Sequence, residues 1–205
     1  MSILLVFVLT LGFAGNVFAA ESANSNSSQI TKISLPPLDS MQTLAPGQKL
    51  NMNTADRFYK INVKGETYVL ESTFVKDSVA TTSSVSPTAV ASSSSYSQAQ
   101  SVYSNVGILL GTLTMHQSWE YNNGTYTYLP NPTLTPYVPW YAWPNYFSNL
   151  LLGTPIYNSS TREYTSATQG NLNNTTGPYT FQTFTLFLSI TFDAYGHAYG
   201  SSYYW

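Results

Sequence analysis

Residues 179–196 read YTFQTFTLFLSITFDAYG. Phe184, Leu186, Leu188, Ile190 and Phe192 fall on one side of an extended chain, and Thr183, Thr185, Ser189 and Thr191 on the other. Only a β-strand puts residues i and i+2 on one face, so this run must lay its apolar side against a core. Phe187 interrupts the polar side, so both faces are expected to be partly covered.

A second signal lies at 57–74. RFYKINV alternates, with Phe58 and Lys60 on one face and Tyr59, Ile61 and Val63 on the other. Lys64-Gly65 reads as the turn, and ETYVLESTF returns as a strand rich in β-formers. Further on, VGILLGTLTMHQSWEY reads as one long strand kinked near Gly111. Asn122-Asn123-Gly124 is a hairpin signal, and TYTYL returns from it. No segment shows a helical period with caps. The expectation is an all-β chain, an antiparallel β-sandwich (immunoglobulin-like or similar) with an extended N-terminal tail.

The start of the chain reads as an export signal. MSILLVFVLTLGFAGNVFAAES is apolar from Ile3 to Ala14 and ends in small residues, although no Lys or Arg precedes the run. Val17-Phe18-Ala19 or Phe18-Ala19-Ala20 fits a cleavage site, which makes residues 1–20 a signal peptide. The alternative is an anchor, but the run falls short of the ~20 residues that span a bilayer. The expected protein is secreted or at the cell surface, with no stable membrane insertion after cleavage. Residues 21–40 form a leader, and 41–205 the sandwich body. SVATTSSVSPTAVASSSSYSQAQSVYS (78–104) reads as a Ser/Thr-rich linker that would split the body, or else as an edge strand.

Charge narrows the function. Only 8% of residues are Asp, Glu, Lys or Arg, against roughly 25% in ordinary soluble domains. Residues 78–205 hold only Glu120, Arg162, Glu163 and Asp193. Without clustered Lys and Arg, nucleic acid is not a partner. There is no cysteine, so packing, glycans or assembly must hold an exported chain.

Catalytic chemistry has little to work with. His116 and His197 are the only histidines, too few with scattered acids for a metal site. Serine is abundant, but no GxSxG elbow accompanies a Ser-His-Asp set. Glu120, Glu163 and Asp193 are the acids from which a glycosidase pair would have to come. No catalytic residue, metal or cofactor is assigned, and the reading is non-enzymatic. Asn26, Asn123, Asn158, Asn173 and Asn174 begin glycosylation sequons, with 171–178 (NLNNTTGP) read as a loop.

YVPWYAWPNYF (137–147) is rich in aromatics and prolines and has no charge. It could be rigid core, a sugar platform led by Trp140 and Trp143, or an intersubunit contact made by Trp140, Tyr141 and Trp143. The terminal DAYGHAYGSSYYW is a Gly- and Tyr-rich last hairpin, or the closing strand of an outer-membrane barrel.

QITKISL, after the polar leader ESANSNSSQ, is a short strand stopped by Pro36-Pro37. Such a segment can pair at home or add to a neighbour's sheet edge. This layout resembles the glycosylated, signal-bearing subunits of archaeal threads and bundling pili. The resemblance implies a filament or pilus-like homopolymer, possible adhesion, and Ile30, Ile33 and Leu35 as a donated strand filling a neighbour's groove. Over GQKLNMNTADRFYKINVKGETYVLEST the chain also resembles secreted prepeptidase C-terminal sandwich domains. The alternative function is a secreted carbohydrate-binding module or polysaccharide hydrolase.

Overall fold

A computed structural model describes residues 30, 32–52, 57–77, 91–176 and 180–205. The signal segment, most of the leader and Asn26 lie outside the described residues. The chain is an all-β sandwich. One sheet holds β1 (Gln42–Thr43), β3 (Arg57–Val63), β4 (Glu66–Lys76), β5 (Ser92–Ser104), β6 (Leu109–Asn122), β7 (Thr125–Tyr128) and β8 (Thr133–Tyr137). The other holds β2 (Leu50–Met52), β9 (Tyr146–Leu152), β10 (Ile156–Asn158), β11 (Glu163–Thr176), β12 (Thr180–Phe192) and β13 (Ala198–Tyr204).

The order is β1-β3-β4-β5-β6 in the first sheet, with β7 and β8 both on the outer side of β6. In the second it is β2-β13-β12-β11, with β9 and β10 both on the outer side of β11. Apart from β2, each sheet is built from one continuous stretch of chain. An immunoglobulin sandwich instead deals successive strands between its sheets, so the topology is a pair of meanders. Among the described residues the two sheets are separate and each is an open path of strands, which is not the layout of a closed barrel.

Local chemistry explains the hairpins. Lys64-Gly65 and Asn123-Gly124 both take positive φ (51° and 84°, 47° and 78°), as a two-residue turn matching the strand twist requires. On β12, Phe184, Leu186, Leu188, Ile190 and Phe192 are all buried, as the alternation predicts. They meet Ile61, Leu70, Val102, Leu113 and Met115 of the first sheet. A file of rings crosses this core, with Trp119 stacked 4.5 Å from Phe192 and 5.8 Å from Tyr96. The Trp119 indole N–H donates to the Asp193 carbonyl (2.9 Å), which satisfies the polar end of a buried ring. The irregularity expected near Gly111 is a register shift within one long strand, where Val102 of β5 faces Gly111 and Tyr103 faces Leu109. Gly111 itself is packed so tightly that an added Cβ would lie 2.8 Å from Leu172.

Two loop readings are corrected. Residues 92–104, part of the expected linker, are β5, a central strand between β4 and β6. Tyr96, Gln98, Gln100 and Val102 face inward and are buried, while Ser95, Ser97 and Ser101 ladder the outer face. Serine-rich composition suggests a loop, but packing against both neighbours overrides a weak local preference. Residues 171–176 are likewise the end of β11, because Asn171 to Thr176 pair with β12 in unbroken register.

Candidate interaction surface

Residues 121–161 contain no Asp, Glu, Lys or Arg. They form β7, β8, β9, β10 and the links between them, and these pieces line one long edge of both sheets. Of the sixteen large hydrophobic residues exposed among the described residues, ten lie at 128–157. Water-soluble proteins usually guard sheet edges with Lys, bulges or very short strands, because unpaired backbone invites another chain. Here β9 bonds to β11 on one side, and among the described residues no second strand pairs with it.

The strand is shaped by its sequence. Phe147 pairs with Leu172 and packs on the core. Asn149 takes φ 49°, within the register shift opposite Gly170. Leu150 then reaches inward, to where a Cβ on Gly170 would lie. Leu151 stays 58% exposed, and Ile156 of β10 is 72% exposed.

The aromatic stretch is not core. Trp143 is 82% and Trp140 66% exposed. Tyr141 is half-buried and sits edge-on to Trp140, with centroids 5.9 Å apart. A 3-10 turn at Trp140–Ala142 carries these rings. Buried Asn145 anchors the turn, donating from its backbone N–H to the Ala142 carbonyl and from its amide to the Leu110 carbonyl (3.3 Å). The tryptophans are thus held on the surface by a short rigid link.

The candidate donor segment lies against its own domain. Ile30 is 52% exposed, while Ile33 and Leu35 pack with Leu38 and Phe58 on Met41, Val69, Tyr103 and Leu109. This small cluster covers the outer face of the first sheet. Backbone pairing is slight: Lys32 bridges Ile108, and the Ile33 N–H donates to the Gly107 carbonyl (3.1 Å).

The sequons divide. Asn123 and Asn158 are exposed at turns. Asn173 and Asn174 are buried, a correction to the loop reading. The Asn173 amide nitrogen, which a glycan would need, donates to Ser148 Oγ (2.8 Å) and to the Tyr146 and Asn171 carbonyls.

The polar clusters read as structure. Asp193 accepts from the His197 side chain (2.8 Å) and from the backbone N–H groups of Tyr195 and His197. Burial pushes its carboxyl up, but these bonds outweigh it and hold the pKa below the usual carboxylate value. At His116, Nδ1 lies 3.0 Å from Asp77, and Ser95 Oγ donates to the same carboxylate (2.7 Å). The Ser95 proton therefore goes to Asp77 rather than to the imidazole, which is not the arrangement that activates a serine. Among the described residues no group of three or more His, Asp or Glu could hold a metal. Burial pushes the Tyr103 and Tyr126 phenols well above their ordinary value, helped by the charges of Glu71 and Asp193 respectively.

Sequence reasoning singled out Trp140, Tyr141 and Trp143 and passed over Leu150, Leu151, Leu152, Ile156 and Tyr157, which are exposed on the same edge. Their signal was available: NLLLGTPIY is apolar without alternation, inside the charge-free run 121–161. Comparisons with protein-family models, curated proteins and solved structures return no match.

Proposed function

We propose that the protein is a secreted, non-enzymatic cell-surface structural subunit that polymerises with copies of itself. One observation carries the reading: β9 is an uncharged strand paired on one side only among the described residues, with Leu151 exposed on it and Ile156, Trp140 and Trp143 exposed nearby in the chain. An edge of this kind is a template for strand addition. The strand it receives is the segment 30–35 of the next subunit, held at home by a single bridge and a small cluster. The exposed tryptophans seal the contact or, at a filament surface, adhere. Glycans at Asn123 and Asn158 supply hydration that the few charges do not.

The test is negative-stain microscopy of the secreted protein beside two variants, Ile33→Asp and Leu151→Lys. Regular filaments from the wild type and monomers from both variants, each with an unchanged circular dichroism spectrum, is the expected result. Dispersed wild-type monomers would sink the reading. Filaments from Ile33→Asp but not from Leu151→Lys would keep the edge and remove the donated strand.

The exposure of Trp140 and Trp143 also favours a second reading, a carbohydrate-binding module stacking those rings on sugar faces. Retention of the wild type on an insoluble polysaccharide, lost in Trp143→Ala, would support it. The hydrolase variant of that reading has less behind it, since Glu163 accepts from Tyr199 (3.2 Å) and Asp193 is taken by His197.

A further inference from the structure

A cleft lies where the β6–β7 turn meets the β10–β11 turn. It encloses about 320 Å³ and is lined by Gly124, Thr125, Tyr126, Tyr157, Arg162 and Tyr164. Its wall is a packed set of phenol rings. Tyr164 sits between Tyr126 (centroids 4.9 Å apart, edge-on) and Tyr157 (5.0 Å, tilted), and it stacks on Phe192 behind. The Tyr126 hydroxyl is spent on the Phe192 carbonyl (2.9 Å), which fixes that ring. Tyr157 is 49% exposed and offers the cleft a ring surface.

Arg162 is the only Lys or Arg in residues 78–205. Both ion pairs among the described residues are His–Asp pairs, so its guanidinium enters neither. Its chain neighbour Glu163 instead accepts from Tyr199. The backbone of Arg162 takes φ 59°, a conformation uncommon for Arg, and its N–H donates to the Asn158 carbonyl (2.9 Å). A lone cation is thus held at a fixed turn, beside three aromatic rings, in a region otherwise empty of positive charge. Glu163 and Asp193 each have a partner of their own, Tyr199 and His197.

The geometry points to this cleft as a binding site for an acidic sugar, a pyranose bearing a carboxylate. Tyr157 stacks on the ring face, and Arg162 takes the carboxylate in the two-pronged geometry that guanidinium favours. The inference does not rest on polymerisation or on the tryptophans. Two sources could supply the sugar. Asn123 adjoins Gly124 and Asn158 adjoins Tyr157, so a glycan on this chain could fold over the cleft. An external polysaccharide could also enter it.

The test titrates trigalacturonate, and a neutral trisaccharide as control, into the full protein from a host that does not glycosylate it, read by calorimetry. The expected result is weak binding of the uronate, with Kd on the order of 1 mM, and neutral sugar at least about tenfold weaker, the worth of a charged bidentate contact. Arg162→Asn, which tolerates positive φ, and Tyr157→Ala should each abolish the preference, with thermal melting unchanged as a check on folding. Equal binding of acidic and neutral sugars, undiminished binding by Arg162→Asn, or no binding to the unglycosylated protein would each overturn the inference. Repeating the titration on glycosylated protein separates the sources. Binding regained only after Asn123→Gln and Asn158→Gln means the chain's own glycan fills the cleft, and binding in both forms means an external one does.

Discussion

The two long edges of the sandwich are built on opposite plans. On one, the first sheet ends in β3, with Lys60 and Lys64 in the strand and its turn, and β1 covers it with only two residues in parallel. The second sheet ends there in β2, three residues long and preceded by Lys49. Charge and brevity are the usual guards against edge pairing. On the other edge, β7 to β10 carry no charge, and β9 runs seven residues with Leu150, Leu151 and Leu152 exposed. The comparison teaches that the low charge of this chain is local in its effect. The same molecule protects one edge and leaves the other open, which is why the open one reads as an interface.

The comparison can be broken most directly by charging each edge in turn. Leu151→Lys combined with Ile156→Lys should abolish self-association, measured by light scattering on a sizing column, with no fall in melting temperature because both residues are exposed. Asn62→Lys, an exposed change on β3, should leave assembly intact. Loss of assembly from both would show that the edges are not distinct.

Gly111→Ala sharpens the contrast from inside. The new methyl meets Leu172 and Phe147, the residue that anchors β9. Overpacking of this kind costs about 1–3 kcal/mol. Hydrogen exchange should quicken in β9 and stay unchanged in β3; equal quickening in both would mean the damage is global.

Alkali should act on the open edge and on the outer face of the first sheet together. The raised phenols of Tyr103, under the N-terminal segment, and Tyr126, on β7, favour the neutral form in the folded state. Their contribution is fully present below the unfolded tyrosine pKa of about 10 and is lost as pH rises through the folded values. Melting temperatures should therefore hold at neutral pH and drop from about pH 10 upward. A flat profile to strong alkali would discount both phenols.

The smallest expected effect is at Asp193. Its lowered pKa contributes stability that is present above the ordinary carboxylate value and lost as pH falls through the folded one. Asp193→Asn should cost at most about 1 kcal/mol, since its partner His197 is largely open to solvent and an Asn oxygen can keep the backbone bonds. It should also flatten the acid limb of a stability profile, and an unchanged acid limb would remove the pair from the account.

How much of this was legible depended on residue type. The inward face of β12 and the Lys64-Gly65 and Asn123-Gly124 turns were plain, because a period of two and a positive-φ pair are properties of neighbouring residues. β5 was hidden, because a serine is a loop signal alone and a strand residue only when Thr112 and His116 stand opposite it. The exposed tryptophans were visible as residues, but their exposure was set by Asn145 gripping β6. The tyrosine–arginine cleft could not be read at all, since its lining comes from turns far apart in the chain.

The pairing of β2 with β13 has a further consequence. Residues 50–52 find their partners at 200–202, and the Tyr204 hydroxyl donates to the Leu44 carbonyl (2.9 Å). Nearly every other strand pairs with a close neighbour in sequence. A chain emerging from its N-terminus can therefore zip each meander as it appears, but β2 must wait for β13. Closure of this loop is the slow, entropically costly step. Until residues 200–202 are delivered, β2 has no partner strand, so the second sheet takes in the start of the body only once β13 is in place.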